Sequence, residues 1–116
     1  MKIKLILDQQ VLHATLDDST AAKSFYALLP LQLTLEDYAS TEKISDLPTK
    51  LAVQDAPKGY QANMGDITYY APWGNLAIFY KNFGYANGLV RLGEISGDLH
   101  ALKASGSFDV RIEADQ

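Results

Sequence analysis

Seven aromatic residues, Tyr69, Tyr70, Trp73, Phe79, Tyr80, Phe83 and Tyr85, fall within one stretch of 17 residues. Large β-forming side chains at that density serve core packing first, and Ile78 with one of its aromatic neighbours fits that use. Strand alternation nevertheless sends some of the rings to the opposite face. Trp73 stands in a Pro-Trp-Gly-Asn turn, and Phe83-Gly84-Tyr85 lie in a loop ahead of the next strand. Rings left at loop tips are surfaces on which an apolar ligand or a proline-containing peptide stacks. Arg91, one of two arginines, alternates with Val90 and Leu92. Its guanidinium is a candidate for the rim of such a groove, and a surface ion pair is its plainer use.

Other chemistry-bearing residues are sparse. His13 and His100 are the only histidines, neither has a second strong ligand at metal-like spacing, and both read as surface or structural groups. Cysteine is absent, which removes disulfides, thiolate catalysis and Cys-ligated metal centres. Ser96 in Gly93-Glu94-Ile95-Ser96-Gly97 sits one position late for a nucleophile elbow. The pairs Asp17-Asp18 and Glu36-Asp37 offer no acid/base couple, because adjacent strand residues point to opposite faces and Asp17-Asp18 precede a helix start. No phosphate-binding glycine loop is present. No cofactor and no metal are expected.

These residues must be positioned mainly by strands. Ile3, Leu5 and Leu7 alternate with Lys2, Lys4 and Ile6, and after Asp8-Gln9-Gln10 Leu12, Ala14 and Leu16 alternate with Val11, His13 and Thr15, which predicts two strands across a tight turn. Leu31, Leu33 and Leu35 give another strand, and Phe108, Val110 and Ile112 give the last. Ile67–Ala71 and Leu76–Tyr80 flank Pro72-Trp73-Gly74-Asn75, so they form a hairpin. A further strand runs from Leu89 to Ile95 after the turn pair Asn87-Gly88. Ala21, Ala22, Phe25, Leu28 and Leu29 recur at helical spacing behind Ser19 as N-cap, predicting a helix over Thr20–Leu29 that Pro30 ends. A short second helix is expected over Asp98–Lys103. Between Ala39 and Gly65 the pattern weakens, and a loop with one short strand at Lys50–Val53 is expected.

With 116 residues, 47% hydrophobic and 21% charged, the chain suits one soluble domain over 1–116. The order of elements, with hairpins and no regular strand–helix alternation, argues for a mainly β fold: a closed antiparallel barrel of about eight strands with two capping helices. A net charge of −4 with lysines and arginines scattered from Lys2 to Arg111 leaves no cationic face for nucleic acid. Lys2, Lys4 and Asp8 interrupt the first apolar residues, so no membrane span or signal-peptide core is visible. A cytoplasmic location is expected of these residues as written, a statement that does not extend to any leader already trimmed.

The segment Thr20–Leu29 (TAAKSFYALL), following two strands, looks like the first helix of cyclophilins. Gly65–Tyr80 (GDITYYAPWGNLAIFY), with Leu31–Tyr38 (LQLTLEDY), Glu42-Lys43 and Leu47-Pro48, resembles the small bacterial cyclophilin-like proteins, and Leu89–Ile95 resembles the late cyclophilin strand. The resemblance implies a cyclophilin-like barrel over nearly the whole chain, related in fold to the peptidyl-prolyl isomerases. True cyclophilins carry a segment reading roughly F-H-R-x-x-x-x-F-M-x-Q-G-G after the strand that follows the first helix. Here Glu36–Ser45 contains no arginine, no Phe-Met pair and no Gln-Gly-Gly. An isomerase must lower an amide-rotation barrier of ~20 kcal/mol by stabilising the twisted bond, and an arginine at the prolyl nitrogen is the evident donor.

The resemblance also implies that Phe79 matches a pocket aromatic and that Phe83 or Tyr85 falls near the family's tryptophan, whereas the late histidine has no counterpart at Gly88-Leu89. The counterparts of Phe79, the Phe83–Tyr85 loop and the Tyr38–Glu42 segment meet on one face of such a barrel. The expected function is non-catalytic binding of a small molecule, a proline-containing peptide or a protein through an aromatic groove lined by Tyr38, Glu42, Tyr69, Trp73, Phe79, Phe83, Tyr85 and Arg91. No catalytic residue is assigned. The alternative is a peptidyl-prolyl cis-trans isomerase with a rearranged active site. The sequence leaves the oligomeric state open.

Overall fold

Apolar alternation is realised as a hairpin of β1 (Lys2–Leu7) and β2 (Gln10–Leu16), with Leu5 opposite Leu12 and Ile3 opposite Ala14. The computed structural model describes residues 1–104 and 106–115. The chain continues through α1 (Thr20–Tyr26), β3 (Leu31–Tyr38), β4 (Glu42–Asp46), β5 (Gly59–Gln61), β6 (Asp66–Tyr70), β7 (Asn75–Phe79), β8 (Tyr85–Asn87), β9 (Leu89–Ser96), a 3₁₀ turn at His100–Lys103 and β10 (Phe108–Ala114). Eight of these strands close an antiparallel barrel in the order β1-β10-β3-β4-β7-β6-β9-β2, and β5 pairs with β8 in a separate two-stranded ribbon. Closure leaves the barrel without an unpaired edge. Where β9 crosses β2, a Cβ on Gly93 would stand 2.2 Å from the Thr15 carbonyl oxygen, so glycine is required for that approach.

Inside lie Ile3, Leu5, Leu16, Leu35, Ile67, Tyr69, Leu76, Ile78, Leu92, Val110 and Ile112, all buried. Each large apolar side chain so placed contributes about 1.5–3 kcal/mol of transfer free energy. Leu16 leads into α1, whereas the 3₁₀ turn follows Ser96, which pairs with His13 toward the other end of β2. Ser19 caps α1 by accepting from the Ala22 N–H at 3.1 Å, and Ala21, Ala22 and Phe25 enter the core. Among the described residues no helix is long and apolar enough to cross a membrane.

Several expectations need correction. The helix ends at Tyr26 rather than Leu29, because the residue before Pro30 is driven from the α region. Leu28 and Leu29 instead close tight turns onto the Phe25 and Tyr26 carbonyls and are half-buried. The second helix is only a 3₁₀ turn, preceded by an Asp98 side chain that accepts from the His100 N–H at 2.9 Å. Lys50–Val53 is not a strand. Leu51 tucks into the core and donates its N–H to the Tyr69 hydroxyl at 3.3 Å, while Ala52 donates to Ser24 Oγ at 3.1 Å. Instead β4 and β5 occupy the stretch expected to be mostly loop, and Tyr85 begins β8.

Candidate functional site

β4, β6 and β7 are covered on both sides, and the site follows from that. Lys43, Leu76 and Ile78 are buried, Leu76 and Ile78 within the barrel core, whereas Ala77 and Phe79 join Ala62 and Leu89 in a second apolar cluster with Ile44 and Tyr70 against it. The β5–β8 ribbon, which contributes Tyr60 and Ala86 to that cluster, lies on the outside of the sheet. Between ribbon, sheet and the β6–β7 turn opens a cleft of about 210 Å³. The turn is closed by Gly74 at φ +69°, whose N–H reaches the Tyr70 carbonyl at 2.9 Å.

The cleft is walled by aromatic rings. Tyr38 and Phe79 stand directly across from Glu42 on the neighbouring strands of the sheet, one on each side. Trp73 meets Tyr38 edge-on, ring centroids 5.9 Å apart at 85°, and meets Tyr70 at 5.3 Å and 82°. Phe83 stacks on Phe79 with centroids 5.6 Å apart and 27° between the planes. Ile44, Ala86 and Leu89 complete the apolar lining. Trp73 and Phe83 are exposed, so the rings are open to a partner.

Two polar groups interrupt this wall. Burial pushes the Glu42 carboxyl up to about 7, and it has no ion-pair partner among the described residues. Asn75, buried at the far end, donates its side-chain N–H to the Leu76 carbonyl at 3.0 Å, but its Oδ1 finds no donor among the described residues. An unmet buried acceptor costs about 1–3 kcal/mol.

Five of the eight residues expected to form a groove therefore meet: Tyr38, Glu42, Trp73, Phe79 and Phe83. Tyr69 does not join them, because it points into the barrel core. Tyr85 is exposed on the ribbon, its ring close over Gly59 and outside the cleft lining. Arg91 faces elsewhere. Its Nε donates to Asp17 at 2.8 Å and a terminal nitrogen donates to Asp66 at 2.9 Å. The Asp17 bond, first among these contacts, holds the guanidinium above its ordinary pKa. Tyr60 donates to the other Asp66 oxygen at 2.6 Å, so this network ties the outer ribbon to the barrel. Burial, reinforced by Asp66, raises the Tyr60 phenol. The sequence reading does not assign Tyr70 and Asn75 to the groove, although both flank the Pro-Trp-Gly turn that marks the site.

A wider depression of about 660 Å³ borders Asp37, Ser40, Tyr80, Lys81 and Lys103. Its central groups are already engaged with one another. Tyr80 donates to Asp37, which holds that carboxyl below its usual range, while burial and then the same bond push Tyr80 up to about 12. Lys43 reaches the Ala104 carbonyl at 2.7 Å and Asp37 at 3.4 Å. His13 pairs with Asp115 at 2.8 Å.

A model of the cyclophilin-like family matches residues 5–113. The solution structure of a hypothetical protein from Archaeoglobus fulgidus aligns over 99% of this chain and 95% of its own with a TM-score of 0.73 at 16% identity, a likeness of fold. Among curated protein sequences none matches significantly.

Proposed function

The chain belongs to the cyclophilin-like family, and from the cleft geometry we propose that it is a non-catalytic binding barrel whose outer aromatic cleft takes a small ligand or a single apolar side chain of a peptide. The observation that carries this reading is the convergence of Tyr38, Tyr70, Trp73, Phe79 and Phe83 around one opening. Size supports one class of occupant. A dry cavity of about 150 Å³ holds benzene, and drug-sized ligands need roughly 300 Å³ or more, so about 210 Å³ suits one ring or one branched group. The isomerase alternative lacks its electrophile. Arg91 is engaged by Asp17 and Asp66, Arg111 pairs with Glu113, and neither lines the cleft.

Trp73, the sole tryptophan, reports occupancy. Titration with cyclohexanol, excited at the indole, should give a saturable change in emission at millimolar concentration, weakened several-fold in Phe83→Ala. A linear, non-saturating response identical in both proteins would remove the binding reading.

A further inference from the structure

The one carboxyl that lines the cleft has no cationic neighbour in the lining. Glu42 contributes a carboxyl between Tyr38 and Phe79, and among the described residues no lysine, arginine or histidine lines the opening. Lys43, the next residue on β4, turns to the other side and is engaged by Asp37 and the Ala104 carbonyl. Anionic ligands are disfavoured by this arrangement, and donors or cations are favoured. Around the carboxyl the rings form walls at near right angles, Tyr38 against Trp73, with the stacked Phe79–Phe83 pair beside them. Aromatic faces attract a cation within ~6 Å of the ring centre, and the contact strengthens as the site is desolvated. A primary ammonium is strongly hydrated and would lose its water on entering an apolar box. An alkylated ammonium spreads its charge over methyl groups and can bury them.

We propose that the cleft is an aromatic cage for a small alkylated ammonium, seated against Tyr38, Trp73, Phe79 and Phe83 with the Glu42 carboxyl as counter-ion. This rests on the cleft being a binding site, and it names the chemical class that the site takes. The volume of about 210 Å³ accommodates a trimethylammonium head with a short tail. The net charge of −4 adds a long-range bias toward cations. Burial of Glu42 without a counter-ion fits the same picture, since a bound cation supplies the missing charge and draws the carboxyl back toward its ionised form.

The test compares choline with 3,3-dimethylbutan-1-ol, which has the same shape and no charge, by Trp73 emission and by amide chemical shifts of the full chain. Choline should bind about tenfold more tightly than the alcohol, within the range of a desolvated cation–π contact. Its affinity should rise as the pH passes up through about 7, where Glu42 ionises. The other titratable groups lining the cleft are the phenols of Tyr38 and Tyr70. Glu42→Gln should abolish the pH dependence and most of the preference, and Tyr38→Leu should weaken choline more than the alcohol. A peptide carrying trimethyllysine, run alongside, distinguishes a tethered from a free ammonium, and tighter binding of either supports the cage. Equal affinity for choline and the alcohol, or binding of the alcohol alone, overturns the ammonium assignment and leaves the apolar cleft standing. Absence of shifts at the cleft with both probes overturns both.

Discussion

Glu42 and Lys43 are neighbours with opposite fates. Glu42 lines the outer cleft, whereas the Lys43 side chain is 1% exposed, its ammonium held by carbonyl oxygens and lying 5.1 Å from the Phe108 ring. Alternation read along Glu42-Lys43-Ile44-Ser45-Asp46 assigns Ile44 to the core and Lys43 to solvent, the reverse of what the barrel does. The reversal is possible because Ile44 finds a second apolar cluster outside and the lysine stem is itself apolar. Glu42 gives a pH-dependent consequence. Its folded pKa, about 7, lies above the ordinary value of 4.5, so the folded state holds the extra proton between those values and stability falls as pH rises through them. Glu42→Gln should therefore stabilise the protein relative to wild type at pH 8, by about 1 kcal/mol after allowance for the partial exposure of the carboxyl, and change little at pH 4. Denaturant unfolding at the two pH values measures this, and an equal effect at both would show that desolvation of the charge is not the cause.

At the scale of elements, legibility followed the number of covered faces. β1, β2, β3 and β10 have one buried face, so their leucines, isoleucines and valines mark it directly in the sequence. β6 and β7 are buried on both faces, so alternation cannot say which aromatic points outward, and the sequence reading assigns Tyr69 to the groove where Tyr70 lines it. β5 and β8 are three residues each, too short for a period to show, and they are held by tertiary contacts such as the Arg91–Asp66–Tyr60 network. Helix α1 was legible from its cap and its apolar spacing. Phe25 is completely buried there among barrel residues. Phe25→Ala should cost ~3–5 kcal/mol as a large core truncation, read as a lower denaturation midpoint at unchanged slope. A loss under ~1 kcal/mol would mean that the helix contributes little to closing the barrel.

On the scale of the molecule, closure of eight strands does two things at once. It buries one apolar core and leaves the outer face of β4, β7 and β6 free to carry a second layer, where residues far apart in sequence, Tyr38, Glu42, Trp73 and Phe83, converge. Convergence of the Tyr38–Glu42 segment with Phe79 and Phe83 followed from family resemblance. The acceptor at Asn75 did not, because an unmet oxygen exists only once its neighbours are placed. The central claim is that this outer layer is a binding site. It is tested most directly by mapping amide chemical shifts of the ¹⁵N-labelled chain at saturating cyclohexanol. The account predicts shifts concentrated at Tyr38, Glu42, Trp73, Asn75, Phe79 and Phe83. Shifts centred instead on the depression around Asp37, Tyr80 and Lys103, or none at any residue, would contradict it.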